Sequence, residues 1–127
     1  MKGTLFLFQW DKTTAQARAK ELRAEGWKVD VESEDGARGG KKVLADPPNV
    51  IVMDLAKRPS HSRETGNGIR GYKAGRSLPI VFVDGTKEDI EKARTKVSDA
   101  IFATSVDLKK VLEKFATGSS DKEKVTD

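Results

Sequence analysis

Apolar residues gather into four short runs along the chain, at positions 5–8, 50–53, 80–83 and 100–103, each rich in Val, Ile or Phe. Their apolarity is continuous rather than alternating. That pattern predicts strands covered on both faces, as in a parallel sheet between helices. A fifth segment behaves differently: Val29 and Val31 alternate with Asp30 and Glu32, which marks a half-exposed edge strand.

Helical signals fill the gaps. Ala15, Ala19 and Leu22 share one face ahead of Gly26, a C-cap candidate. Thr86 and Asp89 form a capping-box pattern before Ile90, Ala93 and Val97, and Thr104 with Asp107 repeats it before Leu108, Val111, Leu112 and Phe115. Segments 36–45 and 63–75 are expected as weaker helices. Gly39 and Gly40 interrupt the first, and Gly66, Gly68 and Gly71 the second; each interior Gly costs up to about 1 kcal/mol relative to Ala. Residues 118–127 are polar with one large apolar residue, Val125, and are expected to be a disordered tail beyond a domain spanning 1–117.

The sum is a β-α unit repeated about five times, hence an α/β fold with a doubly wound, five-stranded parallel sheet and right-handed crossovers. With the edge-like strand second in sequence, the flavodoxin-like order 2-1-3-4-5 follows. Leu5, Leu7, Val50, Val52, Ile80, Val81, Phe82 and Ile101 are the expected core. Chemistry in such sheets gathers at the carboxyl ends of the strands, here near 9–11, 54–58, 84–86 and 104–105.

Composition narrows the classes. The chain has 127 residues, enough for one domain with a real core. It has no cysteine, which removes disulfides, thiolate nucleophiles and Cys-ligated metals. The apolar start after Lys2 is too short for a signal-peptide core, and no run approaches the roughly 18 residues of a membrane span. A soluble, cytoplasmic, monomeric or weakly dimeric protein without membrane contact is expected. The net charge of +4 is mildly basic, with signs mixed along the chain, a weak pointer to nucleic acid.

Three stretches carry a resemblance. Glu32-Ser33-Glu34-Asp35-Gly36, then a weak helix, then Val50-Ile51-Val52-Met53-Asp54 resembles a response-regulator receiver domain. Leu78-Pro79-Ile80-Val81-Phe82-Val83 is similar to the fourth strand of that family. The likeness runs over 3–116 and implies the CheY-like fold, with Asp54 in the place of the phosphoacceptor. It also implies departures. The family holds Mg²⁺ on an acidic pair after the first strand, where this chain has Gln9 and Trp10, with Asp11 one place late. Trp offers no oxygen to Mg²⁺. Asp84 stands at the hydroxyl position, with Thr86 two residues on, and Ala103-Thr104 replaces Lys-Pro after the fifth strand. A carboxylate in place of the hydroxyl repels a phosphoryl group, and the neutralising lysine is missing.

Each candidate has a bland reading beside the sharp one. Asp11 and Asp54, with Asp84, are candidates for a rearranged divalent-metal site; the alternative has Asp11 capping the first helix. Trp10 either plugs the site or anchors a partner. Lys57, Arg58, His61, Arg63, Arg70, Lys73 and Arg76 form a basic stretch for an anion, nucleic acid or acidic partner, or else a solvated face. Gly66-x-Gly68-x-x-Gly71 matches the letters of a dinucleotide fingerprint without following a strand, and is discounted. No catalytic constellation is visible, so no enzyme and no cofactor are expected, with Mg²⁺ doubtful. The leading expectation is a degenerate receiver, a pseudo-receiver of two-component-type signalling, that acts on a protein partner through its fourth-helix, fifth-strand and fifth-helix face. The alternatives are phosphorylation at Asp54 with an altered metal site, and anion or nucleic-acid binding through 57–76.

Overall fold

The computed structural model describes residues 1–117; the tail expected at 118–127 lies outside them. Five strands, β1 (Gly3–Phe8), β2 (Trp27–Glu32), β3 (Val50–Asp54), β4 (Ile80–Val83) and β5 (Ile101–Ala103), form one sheet in the order β2-β1-β3-β4-β5. Every pairing is parallel. The helices α1 (Lys12–Ala24), α2 (Gly36–Ala45), α3 (Pro59–Arg70), α4 (Lys87–Lys96) and α5 (Leu108–Leu112) alternate with the strands. The expected architecture and strand order are both present.

Side chains alternate across the sheet with period two, and each face has its own core. Leu5, Leu7, Val50, Val52, Val81 and Val83 point to α1 and α5, where Ala19, Leu22, Leu108 and Leu112 meet them. Phe6, Phe8, Ile51, Met53, Ile80 and Phe82 point the other way, onto Val43, Ile69, Ala93 and Val97 of the α2–α4 layer. Seven of the eight expected core residues are buried; Ile101 is only partly so, because β5 is the sheet's other edge.

Two expectations are corrected. Segment 36–45 is helical over the expected bounds, whereas α3 begins at Pro59, earlier than position 63, and ends at Arg70, before a 3-10 turn at Lys73–Gly75. Several of these glycines are contact points. A Cβ at Gly39 would lie 2.3 Å from the Phe8 ring, and one at Gly66 would lie 3.1 Å from Val97 Cγ2. Loss of propensity is offset by close approach of helix to core. The second capping box does not form: Asp107 N–H donates to Thr104 Oγ1 at 3.2 Å, but the helix starts later, at Leu108, and passes into a 3-10 turn at Glu113–Phe115. The capping box at Thr86 and Asp89 is present in full.

Candidate functional site

β1, β3 and β4 end together at the carboxyl edge, and parallel register brings Asp54 level with Val83. Asp54 closes β3 and is only 2% exposed. Its Oδ2 accepts the Lys57 backbone N–H at 2.8 Å, and its Oδ1 lies 3.7 Å from Nη1 of Arg18. Gln9, also buried, follows β1 and accepts from the same Nη1 at 2.9 Å. Asp84, after β4, accepts the Ser105 backbone N–H at 2.8 Å and the Ser105 hydroxyl. Arg18 Nη2 donates to Ser105 Oγ at 2.9 Å and stands 3.7 Å from Asp84 Oδ2.

One guanidinium therefore joins Gln9, Asp54, Asp84 and Ser105. Arg18 comes from α1 and its side chain is 14% exposed. The planar fork suits this task because its donors diverge at fixed angles. Arg18 was absent from the sequence candidates. A signal existed: it falls three residues after Ala15 and four before Leu22, inside the buried stripe of α1.

Asp11 takes the capping role. Its carboxylate accepts Thr14 N–H at 3.0 Å and Thr14 Oγ1–H at 2.6 Å as N-cap of α1. These bonds hold its pKa below the usual value. Trp10 is buried rather than exposed. Its ring lies 5.9 Å from Phe8 and 4.1 Å from His61, and Nε1–H donates to Ser62 Oγ at 2.6 Å. Ser62 in turn donates to the Asp54 carbonyl oxygen at 2.5 Å. Thr86 is committed to capping α4, and Ala103 offers only its carbonyl, to Asp84 N–H at 2.9 Å.

Divalent metal finds a poor donor set. Mg²⁺ needs near-octahedral oxygen ligands at about 2.0–2.1 Å. Gln9 is held by Arg18, Trp10 has no oxygen, Asp11 is turned to α1, and Asp84 is bound to Ser105. Among the described residues no group of three or more His, Cys, Asp or Glu is placed to hold an ion. The residues at this edge do not fit Mg²⁺: Arg18 stands between Asp54 and Asp84, and the Lys57 ammonium reaches Asp11 alone at 3.8 Å.

The basic stretch does not form one patch. Lys57 and Arg58 are exposed at the carboxyl edge, Arg58 with a left-handed φ of 50°. Arg70 ends the 12-residue α3, roughly 18 Å from Arg58 along its axis, and Lys73 and Arg76 follow it. Arg70 is structural: it donates to Gly75 O at 2.6 Å and pairs with Asp99 at 3.1 Å. Arg63 is half-buried in α3.

No protein-family model matches the sequence, and no curated protein matches it. Solved structures do match. One is the receiver domain of a sensor histidine kinase from Pseudomonas aeruginosa PAO1, solved with magnesium in its active-site cleft; it aligns at TM-score 0.75 and 16% identity over 91% of this chain and 98% of that one. A putative response regulator from Chloroflexus aurantiacus aligns at TM-score 0.76 and 15% identity over 91% and 98%. The chemotaxis protein CheY4 of Vibrio cholerae aligns at 0.75 and 15% over 91% and 99%. These neighbours are receiver domains, and this chain has the receiver, CheY-like fold.

Proposed function

We propose that this chain is a pseudo-receiver, a signalling domain that works by binding a protein partner rather than by Mg²⁺-dependent phosphorylation. The observation that carries the reading is the Arg18 guanidinium at the centre of the edge, close to both Asp54 and Asp84. Phosphoryl transfer to a carboxylate relies on cations that neutralise charge on the equatorial oxygens, and on room for in-line approach. Asp54 has little room, at 2% exposure, and its Oδ2 is already bonded to backbone. Arg18 supplies one fixed cation where receivers use a metal and a lysine.

The partner face in this reading is α4, β5 and α5. There Arg94 covers the half-buried Phe102 ring at 4.5 Å, and Val106 is 91% exposed. The test is incubation with acetyl phosphate and Mg²⁺, read by intact mass on wild type and Asp54→Asn. The expected result is no Mg²⁺-dependent phosphoryl adduct in either. A clear adduct in wild type, absent from the variant, contradicts the reading and favours an active phosphoacceptor.

A further inference from the structure

β2 is an edge of the sheet: among the described residues it pairs with β1 alone. At its ends the carbonyls of Gly26 and Glu32 face β1, accepting Lys2 N–H at 2.8 Å and Gln9 N–H at 3.2 Å. Backbone groups alternate between the two sides of a strand. Trp27, Val29 and Val31 therefore turn their N–H and C=O outward. An open row of this kind is a template for a further strand, and proteins commonly block it with a charged side chain. β2 offers six residues, against three in β5 at the opposite edge. Here Arg23, in the last turn of α1, donates from Nη2 to Val29 O at 2.8 Å. Among the described residues it is the one side chain bonded to that outward row.

The side chains of β2 fit one strand in particular, a second β2. Place two copies antiparallel about a two-fold axis at Val29, so that Val29 faces Val29. Lys28 then stands opposite the other copy's Asp30, twice over, and Trp27 opposite the other copy's Val31. Lys28 and Asp30 are both exposed and share one face of the sheet. They fall at the non-hydrogen-bonded positions of that pairing, where opposed side chains come closest. Opposite charges there stabilise a pairing and like charges oppose it. The two neighbouring registers that use the same outward backbone groups set Lys28 against Lys28 or Asp30 against Asp30. The charges therefore select a single register.

We propose that β2 is a pairing edge for a second copy of this chain, antiparallel and centred on Val29, and that Arg23 holds it closed. The guanidinium occupies the acceptor at the centre of the pairing, so the edge opens only when Arg23 leaves Val29 O. This surface lies at the opposite side of the sheet from β5 and its neighbouring helices.

Sedimentation velocity on the full chain is the test, with circular dichroism to verify that each variant is folded. Arg23→Ala is expected to form a dimer at least about tenfold tighter than any wild-type association. Arg23→Met, which keeps the side-chain stem and loses the donor, is expected to do the same. Lys28→Glu added to Arg23→Ala sets a carboxylate opposite Asp30 and weakens the dimer by about tenfold or more. Adding Asp30→Lys as well restores opposite charges at both pairs and recovers the dimer. Folded Arg23→Ala and Arg23→Met that stay monomeric overturn the proposal, as does a wild-type dimer equally tight. A dimer that Lys28→Glu leaves intact, or that the charge swap fails to recover, overturns it too. So does association beyond a dimer, because a two-fold axis closes the assembly.

Discussion

Arg38 and Arg18 each bring a guanidinium to a nearly buried carboxylate at the carboxyl edge, one at the β2–α2 corner and one at the centre of the sheet. Arg38 grips Glu32 in bidentate fashion, Nε to Oε1 at 2.8 Å and Nη2 to Oε2 at 2.7 Å. Backbone N–H groups of Glu34 and Asp35 add to Oε2 at 3.0 Å each. Bonding to Arg38 first, and to those amides next, lowers the Glu32 pKa to about 2 despite its burial. Arg18 approaches its aspartates only to 3.7 Å and makes its short bonds to the neutral Gln9 and Ser105. The first is a two-body lock between near neighbours in sequence. The second is a hub that shares one charge among groups at the ends of four strands.

The largest loss of stability is expected at the hub. Arg18→Met leaves Asp54 buried without its guanidinium and frees Gln9 and Ser105 at once. It is expected to cost about 3 kcal/mol in urea denaturation. Arg18→Lys recovers less than half, since one ammonium cannot span the four groups. A loss within error of zero for Arg18→Met would remove the hub from the account.

The corner gives the next effect, and it depends on pH. The folded pKa of Glu32, about 2, lies below its ordinary value of 4.5. Its contribution is therefore full above about pH 4.5 and is lost as pH falls through about 2. The half-exposed Arg38 is screened by solvent, so the contribution is about 2 kcal/mol, less than the shift alone would give. Glu32→Gln should flatten this acid limb in stability measured between pH 5 and pH 2. Arg38→Ala should move the limb to higher pH, because the carboxyl loses its main partner.

Two further substitutions are expected to have small effects. Asp54→Asn keeps an oxygen for the Lys57 N–H and discards a buried charge, so stability should change by less than about 1 kcal/mol in either direction. Lys57→Ala should leave the melting temperature unchanged. Its ammonium only reaches the part-exposed Asp11 at 3.8 Å, and Asp54 uses its backbone.

The strands were readable because a buried parallel sheet writes continuous apolar runs, and the one alternating segment, Val29 to Glu32, is indeed an edge. Helices α2 and α3 read as weak because propensity counts Gly39 and Gly66 as losses. Only the fold shows that Phe8 and Val97 stand where their side chains would go. Asp54 and Asp84 were found by strand-end position, and Asp11 as a cap by its place before Thr14. Arg18 was missed because its partners come from four distant segments, and a single charged residue on an alanine face looks like solvated surface. The basic stretch, continuous in sequence, is spread out in space for the converse reason. Twelve residues of helix separate its ends, and Arg70 turns inward to Gly75 and Asp99.

In the proposed pseudo-receiver a resident guanidinium, not a divalent ion, serves the carboxyl edge. A Mg²⁺ titration of the wild-type chain, followed at the Lys57 backbone amide and the Arg18 side-chain N–H by NMR, tests it directly. The account predicts no saturable shift at either group, since Gln9, Asp54 and Asp84 are already bonded or paired. Saturable Mg²⁺-dependent shifts at Lys57 N–H, with displacement of the Arg18 signal, would contradict it.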